Sequence, residues 1–221
     1  MAFGISQDFD DLTDGDLTGQ GGGSGWSGNW SGDVAFDVTG AATPQAGAKH
    51  ISVVNNADVD KTIDRSLTTA VKTGRLDIYG RIDLDVPTTV RWRIELFKGA
   101  TEMTEIFFYP SQLEQLYWNG TSNVRQIIAS GLTNDTYYKI SMELDDVAQS
   151  GKYRVAVNDS FGSWQQFVGG ATIEAGIDKV RLAHGGNNGL GTGTVYFDSI
   201  SSPADAAVAV VSPTLLTLGV G

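Results

Sequence analysis

The 221-residue chain contains no cysteine. Disulfide staples, thiol catalysis and zinc–thiolate centres are therefore excluded. Histidine is nearly absent, with only His50 and His184, and no G-x-S-x-G elbow occurs, so a triad-type nucleophile is not expected. Positive charge is scarce: 15 Lys and Arg stand against 26 Asp and Glu, a net charge of −11. Duplex nucleic acid is bound by cations that displace phosphate counterions, so nucleic acid is excluded as a partner. No run approaches the roughly 18 apolar residues of a membrane span, so no membrane insertion is expected. The opening MAFGISQDFDDL has neither the basic nor the apolar region of a secretory leader. Release by lysis or export by another route is the expectation, to a virion surface or an extracellular location.

Glycine is plentiful, with 28 residues against 5 prolines. It punctuates segments that alternate apolar and polar residues with period two, the mark of strands buried on one face. In Arg75–Leu84, Leu76, Ile78, Gly80 and Ile82 share a face against Asp77, Tyr79 and Arg81. In Val90–Phe97, Trp92, Ile94 and Leu96 oppose Arg91, Arg93 and Glu95. Tyr138–Asp145 and Tyr153–Asn158 follow the same rule. Asn119-Gly120 reads as a hairpin turn, and no segment makes a convincing amphipathic helix. About a dozen strands with short turns give an all-β, two-sheet antiparallel sandwich. Residues 1–202 form this domain. Residues 203–221 (PADAAVAVVSPTLLTLGVG) are apolar and carry one charge, Asp205. Such a segment is costly to expose, so an assembly arm is expected, pairing with further copies or other surface or virion subunits.

Three segments carry a resemblance. TYYKISMELDDVAQSGKYRVAVND (residues 136–159) resembles a laminin-G-like strand pair. IDKVRLAHGGNNGLGTGTVYFDSIS (177–201) resembles the closing strands of that group, and DFDDLTDGDLTGQGGGSGWSG (8–28) its first strand and loop. The chain over residues 8–201 is thus similar to the concanavalin A-like jelly rolls, a fold shared by lectins, glycanases, adhesins and virion proteins. The resemblance implies a possible structural Ca2+ site. In related carbohydrate-binding modules, acidic residues beside a first-strand Phe meet an acidic residue of the last strand; Asp8, Asp10 and Asp198 match those places. Asp10–Asp16 reads instead as an acidic turn, because the twelfth position counted from Asp10 is Gly21 rather than the Glu of a calcium-binding helix–loop–helix.

Glycanases of this fold carry a Glu-x-Asp-x-Glu or Glu-x-Asp-x-x-Glu strand. The nearest match, Glu143-Leu-Asp145-Asp146, lacks the second Glu. Glu102 and Glu105, three apart, face opposite sides of a regular strand. No catalytic residue is therefore expected. Sugar contact by aromatic faces points to Trp26 and Trp30 in the glycine-rich loop and to Trp118 beside the Asn119-Gly120 turn, with Tyr109 and Trp164 as further candidates. The expectation is a non-enzymatic structural surface protein, with a calcium-stabilised glycan-binding module as the alternative and a glycoside hydrolase behind both.

Overall fold

The computed structural model describes residues 3–55, 60–83, 91–145, 151–172, 176–185 and 193–203. The expected C-terminal arm (beyond Pro203) and most of the Gly185–Gly193 loop lie outside the described residues. In chain order the strands are β1 (Ser6–Gln7), β2 (Gly15–Asp16), β3 (Trp26–Gly32), β4 (Phe36–Thr39), β5 (His50–Asn55), β6 (Lys61–Val71), β7 (Gly74–Ile82), β8 (Trp92–Lys98) and β9 (Thr101–Phe108). They continue with β10 (Gln112–Trp118), β11 (Asn123–Ser130), β12 (Tyr138–Asp145), β13 (Lys152–Val157), β14 (Ser160–Phe161), β15 (Gln165–Gln166), β16 (Ile177–His184) and β17 (Gly193–Ser201). A single 3-10 turn, Val168–Gly170, follows β15, and no α-helix occurs among the described residues. Among the described residues no helix is long and apolar enough to cross a membrane.

Antiparallel pairing sorts the long strands into two sheets. Sheet one runs β2-β4-β5-β17-β7-β12-β13, with the short β14 and β15 along its edge and β1 on the end of β17. Sheet two runs β3-β6-β16-β8-β9-β10-β11. The rims touch where Trp118 pairs with Gln166. The alternation read from the sequence sets the faces. Leu76, Ile78, Ile140 and Met142 of sheet one and Ile94, Leu96, Val180 and Leu182 of sheet two are fully buried between the layers. Each such side chain contributes about 1.5–3 kcal/mol by leaving water.

Two local features depart from the plain alternation. Arg65 of β6 points inward, lodged between the rings of Trp26 and Trp30 (5.2 and 5.7 Å to the centroids), and donates from Nη1 to Gln7 Oε1 at 2.6 Å. The second lies in the β8–β9 hairpin. Leu96 pairs with Thr104 but Phe97 pairs with Glu102, so Met103 is an extra residue in the ladder. Such a bulge shifts every following side chain by one place. Met103 and Thr104 are both buried in the core, and Thr104 Oγ1 accepts the Leu96 amide at 3.2 Å. Gly99 takes the left-handed conformation at the hairpin turn (φ 58°), and both oxygens of Asp178 accept its amide at 3.0 Å.

Candidate functional site

The register of sheet two places one row of outward side chains straight across six strands: Asp64, Arg181, Glu95, Glu105, Leu116 and, on β11, Arg125. Charge alternates along this row except at its centre, where Glu95 and Glu105 stand directly opposite each other. Directly opposed residues have Cβ atoms about 5 Å apart, and like charges there oppose pairing. The bulge at Met103 adds a third carboxylate. A regular strand would send Glu102 and Glu105 to opposite faces, as the sequence reading expects; the extra residue restores Glu102 to the outer face. There burial and the neighbouring carboxylates of Glu105 and Glu95 favour the protonated form of Glu102.

Cations frame this cluster without neutralising it. Arg93 Nε lies 3.1 Å from Glu95 Oε1, and its Nη1 lies 3.6 Å from Glu105 Oε1. Arg181 is spent largely on Asp64, in a two-pronged pair at 2.6 and 2.9 Å, and reaches Glu95 only at 3.8 Å. Burial opposes the Asp64 charge, but Arg181 and Lys179 outweigh it and hold that carboxyl below its usual range. The glutamates go the other way. Burial, helped by Glu105 and opposed by Arg93, pushes Glu95 up to about 7. Burial and then the two neighbouring glutamates raise Glu102, and burial raises Glu105 against the pull of Arg93. A carboxylic acid that keeps its proton near neutral pH beside a partly ionised neighbour is the pairing that acid–base chemistry uses. Phe97, under Lys179 and Arg181, and Phe107, under Arg125, supply apolar floor on the same face.

The outer face of sheet one bears Glu143 and Asp198, two of the acidic residues named from the sequence, and there charges are matched. Glu143 accepts from Arg154 Nε and Nη2 at 2.7 and 2.6 Å, so the nearest motif match is a surface ion pair; Asp146 lies outside the described residues. Asp8, Phe9 and Asp10 do not form a strand: Phe9 turns with φ 67° and buries its ring, and Asp8 accepts the Asp10 amide at 3.3 Å. Asp10 Oδ1 accepts the amides of Ala48 and Lys49, both at 2.8 Å. Asp198 Oδ2 accepts those of Gln45 and Ala46 at 2.8 and 3.1 Å. The two carboxylates thus clamp the 45–49 loop from either side. Their oxygens face N–H donors, which repel a cation, and among the described residues no group of three His, Asp or Glu gathers to hold a metal. These residues do not fit a calcium centre.

His50 is buried in the same face. Its Nδ1 lies 2.7 Å from Tyr137 Oη and its ring packs on Tyr196 at 4.6 Å. Burial and then Arg81 push it down to about 4, so it stays neutral. Of the aromatic candidates, Trp30 is core (1 % exposed). Trp26 is half-buried on Arg65 and donates its indole N–H to the Ser6 carbonyl at 3.1 Å. Trp118 is half-buried on the outer face of β10 and lines a groove with Trp164.

No family model matches the sequence, and no curated protein matches it. Solved structures do. A Bacteroides ovatus GH16 protein of a mixed linkage glucan PUL, in complex with a G4G4G3G product, is 9% identical, with 86% of this chain and 99% of that chain covered at a TM-score of 0.57. Alginate lyase Aly36B, in complex with alginate tetrasaccharide, is 9% identical over 90% of this chain and 96% of that one, at 0.54. The carbohydrate esterase of the Shiga toxin-encoding bacteriophage phi24B is 14% identical over 86% and 98%, also at 0.54. The chain is a concanavalin A-like jelly roll. The jelly-roll expectation from the sequence therefore holds. The expectation of a non-enzymatic structural protein is corrected: the similar structures are carbohydrate-active enzymes, and the jelly roll's outer sheet-two face holds an acidic cluster that sequence spacing concealed. Sequence reasoning missed Glu95 because a plain hairpin at Gly99-Ala100 would set it opposite Thr104; only the extra residue Met103 sets it opposite Glu105.

Proposed function

We propose that this jelly roll cleaves glycans by acid–base catalysis on the outer face of sheet two. The observation that carries the proposal is the trio Glu95, Glu102 and Glu105, brought onto one face by hairpin register and a bulge and left short of cations. Glu102 is assigned as the acid: it is largely buried and has two carboxylate neighbours, which together raise its proton affinity. Glu105, with Arg93 favouring its ionised form, is the base or nucleophile. In hydrolysis Glu102 gives its proton to the glycosidic oxygen as the C–O bond breaks, and the oxygen leaves with the bonding electrons. In an inverting reaction water adds its oxygen to the anomeric carbon and gives a proton to Glu105; in a retaining one Glu105 first forms a glycosyl ester, and water then displaces it while giving its proton to Glu102, which the first step left ionised. Glu95 is a positioning residue that holds Arg93 and raises its neighbours' proton affinity.

Elimination from a uronate is the second reading, because Tyr109 Oη and Arg125 Nη1 lie 3.2 Å apart beside the cluster. Burial raises the Tyr109 phenol, which makes it a poor base and favours hydrolysis. Incubation with mixed-linkage β-glucan, other neutral β-glycans and alginate, with detection of new reducing ends and of ultraviolet-absorbing unsaturated ends, tests both. Reducing ends without unsaturation, lost in Glu102→Gln and Glu105→Gln, are expected. Unsaturated ends would move the assignment to elimination. No cleavage of any glycan would overturn the proposal.

A further inference from the structure

Beyond the glutamates, the outer face of sheet two ends in a built groove. Leu116 is the register partner of Glu105, and Trp118 lies two residues farther along β10 on the same face. At about 3.4 Å per residue and 4.8 Å between strands, the Trp118 backbone is about 8 Å from that of Glu105. Past Leu116 the strand leaves β9, and Trp118 pairs instead with Gln166 of β15. The cleft so opened, about 350 Å³, is lined by Tyr117, Trp118, Trp164, Asn119, Gln165 and Gln166, with Lys152 at its margin. The indoles of Trp118 and Trp164 border it together with the amide residues Asn119, Gln165 and Gln166, and no carboxylate lines it. The one cation, Lys152, stands opposite Asp145 across the β12–β13 ladder, so the local charge is balanced.

Part of the groove is fixed in place by its surroundings. Trp118 rests on the Gly170 backbone, where an added Cβ would come within 3.2 Å of the indole. Arg154 lies over the Trp164 ring at 4.5 Å while bound to Glu143, and Gln165 Nε2 donates to Gln126 Oε1 at 3.0 Å. Indole and phenol rings offer apolar faces to the C–H side of a pyranose, and uncharged amides both donate to and accept from its hydroxyls. Rings held in place by packing lose little entropy on binding.

We infer that this groove is a binding subsite for an uncharged, hydroxyl-rich glycan chain that continues from the glutamate cluster along β10. The inference rests on the proposed glycan cleavage for its direction, but not for the binding itself. The test uses the full chain carrying Glu105→Gln, so that ligand is not consumed, titrated with a neutral gluco-oligosaccharide and, separately, with an oligouronate. Binding is followed by calorimetry. Loss of a stacking ring costs about tenfold in affinity or more, so Trp118→Ala and Trp164→Ala should each weaken neutral-oligosaccharide binding by that factor. Trp118→Phe, which keeps a flat ring, should retain most of it. In the active chain, Trp164→Ala should raise KM for a long glycan with little change in kcat. Neutral-oligosaccharide binding that ignores both tryptophans overturns the subsite. Binding of the oligouronate in preference overturns the uncharged class. Ring-dependent binding in a chain that cleaves nothing upholds the groove while removing the catalytic reading.

Discussion

The two outer faces of this sandwich both carry charged side chains and use them in opposite ways. On sheet one, Asp77 and Asp159 meet Arg75, Asp159 also meets Lys139, Asp135 meets Arg81, Glu143 meets Arg154, and Asp10 and Asp198 meet backbone amides. On sheet two, three glutamates meet chiefly one another and share Arg93. Both faces are built from the same alternation, so the difference is not one of fold. Matched charge is how a sheet keeps an exposed face soluble and fixed. Unmatched, desolvated like charge is costly and marks the place where function is to be sought.

The sharpest way to break the contrast is by turnover. Glu102→Gln and Glu105→Gln should each lower kcat by about 10²–10⁴-fold, the usual worth of a general acid or base. Glu143→Gln, on the other face, should leave it unchanged. Equal effects at all three positions would abolish the distinction between the faces. Glu95→Gln should move the alkaline limb of the pH–rate profile to lower pH, since it removes a negative neighbour of Glu102.

Stability against pH comes next. Glu95 has its proton affinity raised on folding, so its contribution is fully present below about pH 4.5 and is lost as pH rises through about 7. The change is on the order of 3 kcal/mol. Urea unfolding at pH 5 and pH 8 should show Glu95→Gln relatively more stable than the parent at pH 8; an equal offset at both values would mean that the carboxyl is not held near 7. His50 behaves inversely. Its depressed value gives a contribution present above about pH 6.5 and lost as pH falls through about 4. His50→Gln should therefore flatten the acid limb of the stability curve, and an unchanged limb would place the histidine in solvent.

The matched face should yield smaller effects. Asp198→Asn weakens two charge-assisted bonds to the 45–49 loop and should cost about 1–3 kcal/mol, with faster proteolysis of that loop. Glu143→Gln should cost within about 0.5 kcal/mol, as for other surface ion pairs. Calcium or a chelator should leave Tm unmoved; a rise of several degrees with calcium would show that the sheet-one carboxylates keep room for an ion.

How much of this was legible follows from what each feature depends on. The strands over Arg75–Leu84, Val90–Phe97 and Tyr138–Asp145 were readable because period-two burial is local. Trp30, read as a loop ligand, is core, packed against Arg65, a charged side chain far along the chain that takes an inward place on β6 between Ile63 and Leu67. Asp8 and Asp10 were read as one strand face, but the positive φ of Phe9 breaks the strand between them. The acidic site was hidden for the same kind of reason. Glu102 and Glu105 share a face only through a bulge, and a bulge is a property of the pair of strands, not of either one. Trp118, read as a sugar contact, lies half-buried in a surface groove, since a tryptophan beside a hairpin turn has little core to enter.

The extra residue at Met103 also bears on ancestry. A chain lacking it would read Glu-Thr-Glu, the plain period-two spacing, and would still turn both carboxyls outward. One site thus has two spellings that differ by a residue. Aligning distant members of such a lineage on their letters would place a gap through the middle of the chemistry and score its two most informative positions as mismatched.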